Sequence, residues 1–272
     1  MAVTLVIEDG NPWYLSPNVW TVPGSDPVGP PGMPVAGQPC YLWAHVQNTG
    51  TDPVSGATAR FYWANPALGF DRTTANLVGS AFVTLGPGAS ADVLCLTPWV
   101  PVYVNQGHEC ILAEASHATL DPLPAAPAFN VPTDRHVAQR NLSVLSASSF
   151  SFAFEVHNPG RKRREFVITA RNGDLGQVEK LLARLGKGVK RVPKPGRMAK
   201  MGFVKSPCPD ADAESSGPRL EGVTLEAHER AGYALVGDLQ GGAALIHVVQ
   251  EADGHEVGGL ALLLLPSKEE RS

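Results

Sequence analysis

The chain has 272 residues, a formal net charge of −4, a hydrophobic fraction of 43% and a charged fraction of 18%. This excludes a disordered chain and supplies enough apolar material for one large core or two ordinary ones. Gly 28 and Pro 24, together about a fifth of the residues, break long helices and force frequent turns, which predicts an all-β protein of many short strands.

Residues 1–24 lack the basic leader of a secretory signal, and Glu8 and Asp9 interrupt their short apolar stretch. No segment reaches the ~20 apolar residues of a membrane span. The longest apolar run, residues 260–265, reads as a buried strand. The expectation is a soluble chain, cytoplasmic at synthesis, with export by a leaderless route left open. Trp13, Trp20 and the proline-rich residues 27–34 precede the first core, either packing over its edge or grasping a neighbour. Cys40, Cys95, Cys110 and Cys208 form no Cys-x-x-Cys pair, which argues against a disulfide scaffold and a structural zinc site.

The chain contains an internal repeat. Val46-Gln47-Asn48-Thr49-Gly50 is echoed by Val156-His157-Asn158-Pro159-Gly160, each after an alternating stretch (residues 40–45 and 150–155). Strand-like runs follow at residues 59–63 and 166–170. Val83-Thr84-Leu85 before residues 91–94 is matched by Val223-Thr224-Leu225 before residues 231–234, and residues 110–115 by residues 245–250. The offset is 110 at the Asn-x-Gly block and 140 at the Val-Thr-Leu block, so about 30 residues are inserted in the second copy, within residues 172–217. Alternation over five to eight residues, separated by turn signals, predicts half-buried strands of a sandwich. The first copy, over residues 35–145, resembles the bacterial immunoglobulin-like domains of the CARDB type in its Val46-Gln-Asn-Thr-Gly, Ala59-Arg-Phe-Tyr-Trp and Val83-Thr-Leu-Gly-Pro-Gly-Ala segments with Trp99 following. The resemblance implies a seven-stranded sandwich, an adhesion or accessory role, and no shared active site. It also implies that Cys40, Trp63 and Cys110 fall in the second, third and sixth strands, the Cys…Trp…Cys order in which the cysteines are either bridged or two buried thiols.

Residues 160–205 hold fourteen of the 22 Lys and Arg residues against Glu165, Asp174 and Glu179, a segment charge of +11 against −15 for the remainder. Such asymmetry points to an electrostatic role. Arg161, Lys162, Arg163 and Arg164 are expected at a hairpin tip. Residues 174–185 read as a helix, capped by Asn172 or Asp174 and ended by Gly186, with Leu175, Val178, Leu181, Leu182 and Leu185 on one face. Residues 187–205, carrying Lys187, Lys190, Arg191, Lys194 and Arg197, read as a loop. This segment either is a solvated loop, docks on an acidic protein surface, or binds phosphate. Phosphate binding needs little beyond charge, but Phe166 and Phe203 are the only nearby aromatics, which disfavours nucleic acid.

No Gly-x-Ser-x-Gly elbow, Walker loop or dinucleotide fingerprint is present. His108, Cys110 and His117 are the closest approach to a metal set, and the core reading of Cys110 is preferred. Asp134-Arg135-His136 is expected to fix the interdomain junction. The reading is a non-enzyme without cofactor or metal. Its fold is tandem immunoglobulin-like sandwiches, residues 1–140 and 141–272, the second with a helix-containing basic insertion. The role is that of a structural or adaptor protein binding a protein partner, or itself, in a larger bacterial assembly. The alternatives are a carbohydrate or peptide module and nucleic-acid binding.

Overall fold

The computed structural model describes residues 2–65, 67–73, 75–101, 110–126, 128–182, 194–205 and 216–266. Nine strands come from the first half: β1 (Leu5–Val6), β2 (Val19–Pro23), β3 (Cys40–Asn48), β4 (Val54–Ala64), β5 (Ala67–Leu68), β6 (Asn76–Leu85), β7 (Ser90–Leu94), β8 (Cys110–Ser116) and β9 (Val137–Arg140). β3 shows why the residues choose this state. Buried Cys40, Leu42, Ala44, Val46 and Asn48 alternate with half-buried neighbours along all nine positions, as a strand with one face on a core requires. β1 and β2 lie along one side of β3 and β7 along the other, and the facing sheet runs β6-β4-β8-β9. Leu42, Ala44, Val46, Phe61, Ala113 and Trp99 pack between these layers.

Asn141 alone separates β9 from β10 (Leu142–Ser146). Then follow β11 (Ser149–His157), β12 (Arg164–Gly173), a 3-10 turn (Leu175–Val178), one turn of helix α1 (Glu179–Leu182), β13 (Gly196–Lys205), β14 (Arg219–Leu225), β15 (Arg230–Gly241), β16 (Ala244–Ala252) and β17 (His255–Leu265). These form a sheet β10-β17-β16-β12-β14 and a facing sheet β13-β15-β11-β5. Phe152, Phe154, Phe166, Ile168, Phe203 and Leu235 fill the space between them. The run at residues 260–265 is the expected buried strand, and it is continuous because both faces are covered. Leu260, Leu262 and Leu264 point into the core, while Ala261, Leu263 and Leu265 meet Tyr14, Val178 and Leu181 outside the sheet.

The two sheet pairs share their pairing pattern. β3–β7, β4–β6, β4–β8 and β8–β9 of the first correspond to β11–β15, β12–β14, β12–β16 and β16–β17 of the second. The register agrees as well. Ala44 faces Val93, and advancing the two numbers by the sequence offsets of 110 and 140 gives Phe154 and Tyr233, which are partners.

Two expectations for residues 172–217 need correction. The predicted helix over 174–185 is eight described residues of 3-10 and α turn, and its last three positions lie outside the described residues. Asp174 is the cap, accepting from the Gly176 amide while Gln177 returns a bond to the Asp174 amide. Its apolar face, Val178 and Leu181, packs on its own sandwich. Second, the predicted loop at 187–205 includes a strand: β13 pairs with β15 at nine positions, with a register shift between Met198 and Lys200. The frequent cations hid it, because charge on an edge strand is compatible with pairing on its other side.

The halves interlock. β5, from the first half, pairs in parallel with β11, and its Leu68 belongs to the second core. Tyr14 is buried against β17, where a Cβ on Gly259 would lie 2.2 Å from its Cδ1. Gln139 and Asn141 both donate to the Gly259 carbonyl, at 3.3 and 3.0 Å. Gln139 and Asn141, not the expected Asp134 to His136, therefore hold the junction.

Candidate interaction surfaces

β11 and β12 lie in different sheets, so residues 158–163 cross between layers and are not the hairpin tip that was expected. Asn158, 1% exposed, holds this crossing. Its Nδ2 donates to the carbonyls of Lys162, Leu225 and Glu226 at 2.8, 3.2 and 2.9 Å, and its Oδ1 accepts from the Gly160 amide. Asn48 does the same work in the first sheet pair, donating to Asp52 and Gly86 and accepting from Gly50 and Thr4. The backbone amides of the two asparagines bond Ala89 and Glu229. The turn each one braces has a left-handed residue at the same place, Gly88 at φ 67° and His228 at φ 61°.

On the crossing, Arg161 and Lys162 are exposed, and so is Arg163, 3.6 Å from Glu226. Arg164 is half-buried and bonded through two nitrogens to Asp253, at 2.6 and 3.1 Å. Lys194 and Arg197 sit at the opposite end of the sandwich, because β13 pairs Lys205 with Tyr233 near the crossing and Gly196 with Gly241 at the far end. Ten residues of extended chain separate the two ends by about 30 Å. The described cations do not form one patch, and Lys187, Lys190 and Arg191 lie outside the described residues. Arg197 lines an open cleft of about 470 Å³ with Asn172, Asp174 and Met198.

A buried ionic cluster sits under the connection between β8 and β9. His136, 4% exposed, has Nδ1 2.7 Å from Asp134 and Nε2 3.2 Å from Asp121. Asp121 also accepts from the Leu5 amide at 2.7 Å and pairs with Arg135. The cluster thus pins β1 to that connection. Both ring nitrogens face carboxylates, so the charged imidazole helps hold this connection. The bond to Asp134 first, against burial and then with help from Asp121, raises the His136 pKa. Burial pushes Asp134 up, but the His136 side-chain and backbone bonds outweigh it and leave the carboxyl below its ordinary value. Burial, then the charge of Asp134, pushes Asp9 up to about 7.

The signs give a pH prediction. The His136 contribution is complete below about 6.5 and is lost as pH rises through its raised folded value. The Asp134 contribution is present above about 4 and is lost as pH falls through its lowered value. Asp9, raised, makes stability fall as pH rises from about 4 to about 7. Thermal midpoints measured from pH 4 to 8 are expected to be highest near pH 4 and to decline above it, and Asp9→Asn is expected to flatten the decline. A profile rising from pH 5 to 8 would contradict this account.

Cys40, Cys95 and Cys110 are all buried thiols, and Cys40 is not bridged to Cys110. The reason is strand parity. Ile111, Ala113 and Ala115 face the core that holds Cys40, whereas Cys110 and Leu112 face the opposite side of β8 with Tyr62 and Phe129. Burial raises the Cys110 thiol pKa well above its ordinary value, as expected of an inert core thiol. No group of three metal-binding side chains occurs among the described residues, and His108 lies outside them. Trp20 stacks on Trp43, and the Trp43 indole donates to the Pro27 carbonyl, so the proline-rich stretch covers its own sandwich. No described helix is long and apolar enough to cross a membrane.

Together, the described residues define an all-β protein of packed sheets in an immunoglobulin-like arrangement. No protein-family model and no curated protein matches the chain. Among solved structures, the CARDB domain of a Pyrococcus furiosus protein in complex with di-metal ions is 17% identical, with a TM-score of 0.31 over 51% of this chain and 90% of that one. Red sea bream transglutaminase is 10% identical, with a TM-score of 0.25 over 92% of this chain and 31% of that one. The CupB6 tip adhesin of Pseudomonas aeruginosa is 11% identical, with a TM-score of 0.22 over 98% of each chain. Likenesses at these scores carry no argument about kinship or activity.

Proposed function

We propose that the chain is a non-catalytic adaptor of two divergent copies of one immunoglobulin-like sandwich, and that it recognises a protein partner through loops and strand edges. The duplication rests on the matched pairings, the offset register and the equivalent Asn48 and Asn158 braces. The observation that carries the adaptor reading is where the polar chemistry lies. His136, Asp121, Asp134, Asn48, Asn158, Gln139 and Asn141 are buried and committed to holding loops and the junction. Charge free to meet a partner is on the surface, at Arg161, Lys162 and Lys194. Clustered surface charge speeds and orients encounters with an acidic partner. A carbohydrate platform is the weaker alternative, because none of the five tryptophans is an exposed residue.

The test is a nuclease-treated pull-down from the native host. It compares the intact protein with one variant whose cations at 161–164 are neutralised and another neutralised at 187–197. A protein partner lost from one variant supports the reading and says which end of the sandwich binds. Retention by both variants moves the site to the strand edges. Binding that nuclease abolishes overturns the reading in favour of nucleic acid.

A further inference from the structure

The sheet edges differ in how they are protected. An edge strand offers a row of unpaired amides and carbonyls, and natural edges are blunted by charge, proline or cover. Among the described edge strands longer than five residues, β13 carries Arg197, Lys200 and Lys205, and β14 carries Arg219 and Glu221. β6 (Asn-Leu-Val-Gly-Ser-Ala-Phe-Val-Thr-Leu) also stands at an edge, paired on one side only to β4 over most of its ten residues, and it has no charge and no proline. Two large apolar side chains are exposed on it, among the small polar Asn76, Ser80 and Thr84. Phe82 is 75% exposed and Leu77 59% exposed.

We propose that β6 is a docking edge for a second copy of this chain, the two β6 strands pairing antiparallel about a two-fold axis. Each sheet β6-β4-β8-β9 then continues into its symmetry mate as one eight-stranded sheet. A closed two-fold contact places the same surface on both sides. Self-pairing therefore suits an edge with no charge to repel its own copy, and charged β13 and β14 do not meet that condition. With the axis near Ala81, the two Phe82 rings lie on one sheet face at the ~7–8 Å diagonal spacing across which aromatic side chains interact. This deepens the adaptor reading by naming one partner and rests on the same premise of a binding module.

Sedimentation equilibrium of the full chain across a concentration series is expected to show a monomer–dimer equilibrium. Phe82→Lys is expected to weaken it at least about tenfold, by facing like charges across the axis. Val28→Lys, at an exposed site away from β6, is expected to leave it unchanged. A wild-type chain that stays monomeric, or a dimer indifferent to Phe82→Lys, overturns the inference. If circular dichroism shows that Phe82→Lys does not fold, hydrogen exchange on the wild type decides. Amides of residues 76–85 are expected to slow as concentration rises, and an unchanged rate overturns the proposal. A dimer through β6 with no other partner in the pull-down leaves this inference standing and removes the adaptor reading. A hetero-partner bound by a strictly monomeric chain does the reverse.

Discussion

Gly259→Ala is expected to destabilise the protein by about 3–5 kcal/mol, the range of losing a buried aromatic side chain from a packed site. A Cβ there would lie 2.2 Å from Cδ1 and 2.3 Å from Cε1 of Tyr14, so the ring must leave. It cannot shift within its site, because it is fully buried and packs edge-on against Trp13 at 5.1 Å and His247 at 5.6 Å. The loss spreads to both halves, since Tyr14 belongs to the first and β17 to the second. Urea unfolding measures it, and the double variant with Tyr14→Ala isolates the cause. The pair is expected to be strongly non-additive, the double variant being little less stable than Tyr14→Ala alone. Additive losses would mean that the glycine is needed for some other reason.

Asn158→Ala is expected to cost about 3 kcal/mol, because a buried group left unsatisfied costs ≈ 1–3 kcal/mol and this side chain serves four. The carbonyls of Lys162, Leu225 and Glu226 and the Gly160 amide would lose their partner together. Asn48→Ala is expected to cost a similar amount in the first sheet pair, where Asp52, Gly86, Thr4 and Gly50 depend on it. Denaturant midpoints of the two variants test the equivalence directly. If Asn48→Ala is severe and Asn158→Ala is neutral, the two braces are not counterparts and the duplication loses its best side-chain evidence. Asn158→Asp is expected to fall near Asn158→Ala, since a carboxylate cannot donate to three carbonyls.

The alternating residues from Cys40 to Asn48 could be read as a strand because one face is buried and one is not, and that periodicity is written in the residue types. The offsets of 110 and 140 read from the sequence recur in strand register, at Ala44–Val93 and Phe154–Tyr233. The cap at Asp174 was legible too, being a local hydrogen bond.

The open questions and errors came where a residue's partner lies far along the chain. The sequence left Cys40 and Cys110 as either a bridge or two buried thiols, and the register of β8 decides for thiols by turning Cys110 away from Cys40. Arg161 and Arg197 look like one basic region, but the register of β13 on β15 puts Arg197 at the end of the sheet opposite the crossing.

The sequence by itself determined the all-β class and most of the strand-sized runs, because these follow from local conformational preference and burial period. Only the tertiary structure decided which strands stand at unprotected edges, which cations meet, and that Tyr14, Leu68 and Gly259 lock one half to the other. Those outcomes depend on contacts between residues far apart in the chain, and no local pattern encodes which of many compatible surfaces a segment will cover.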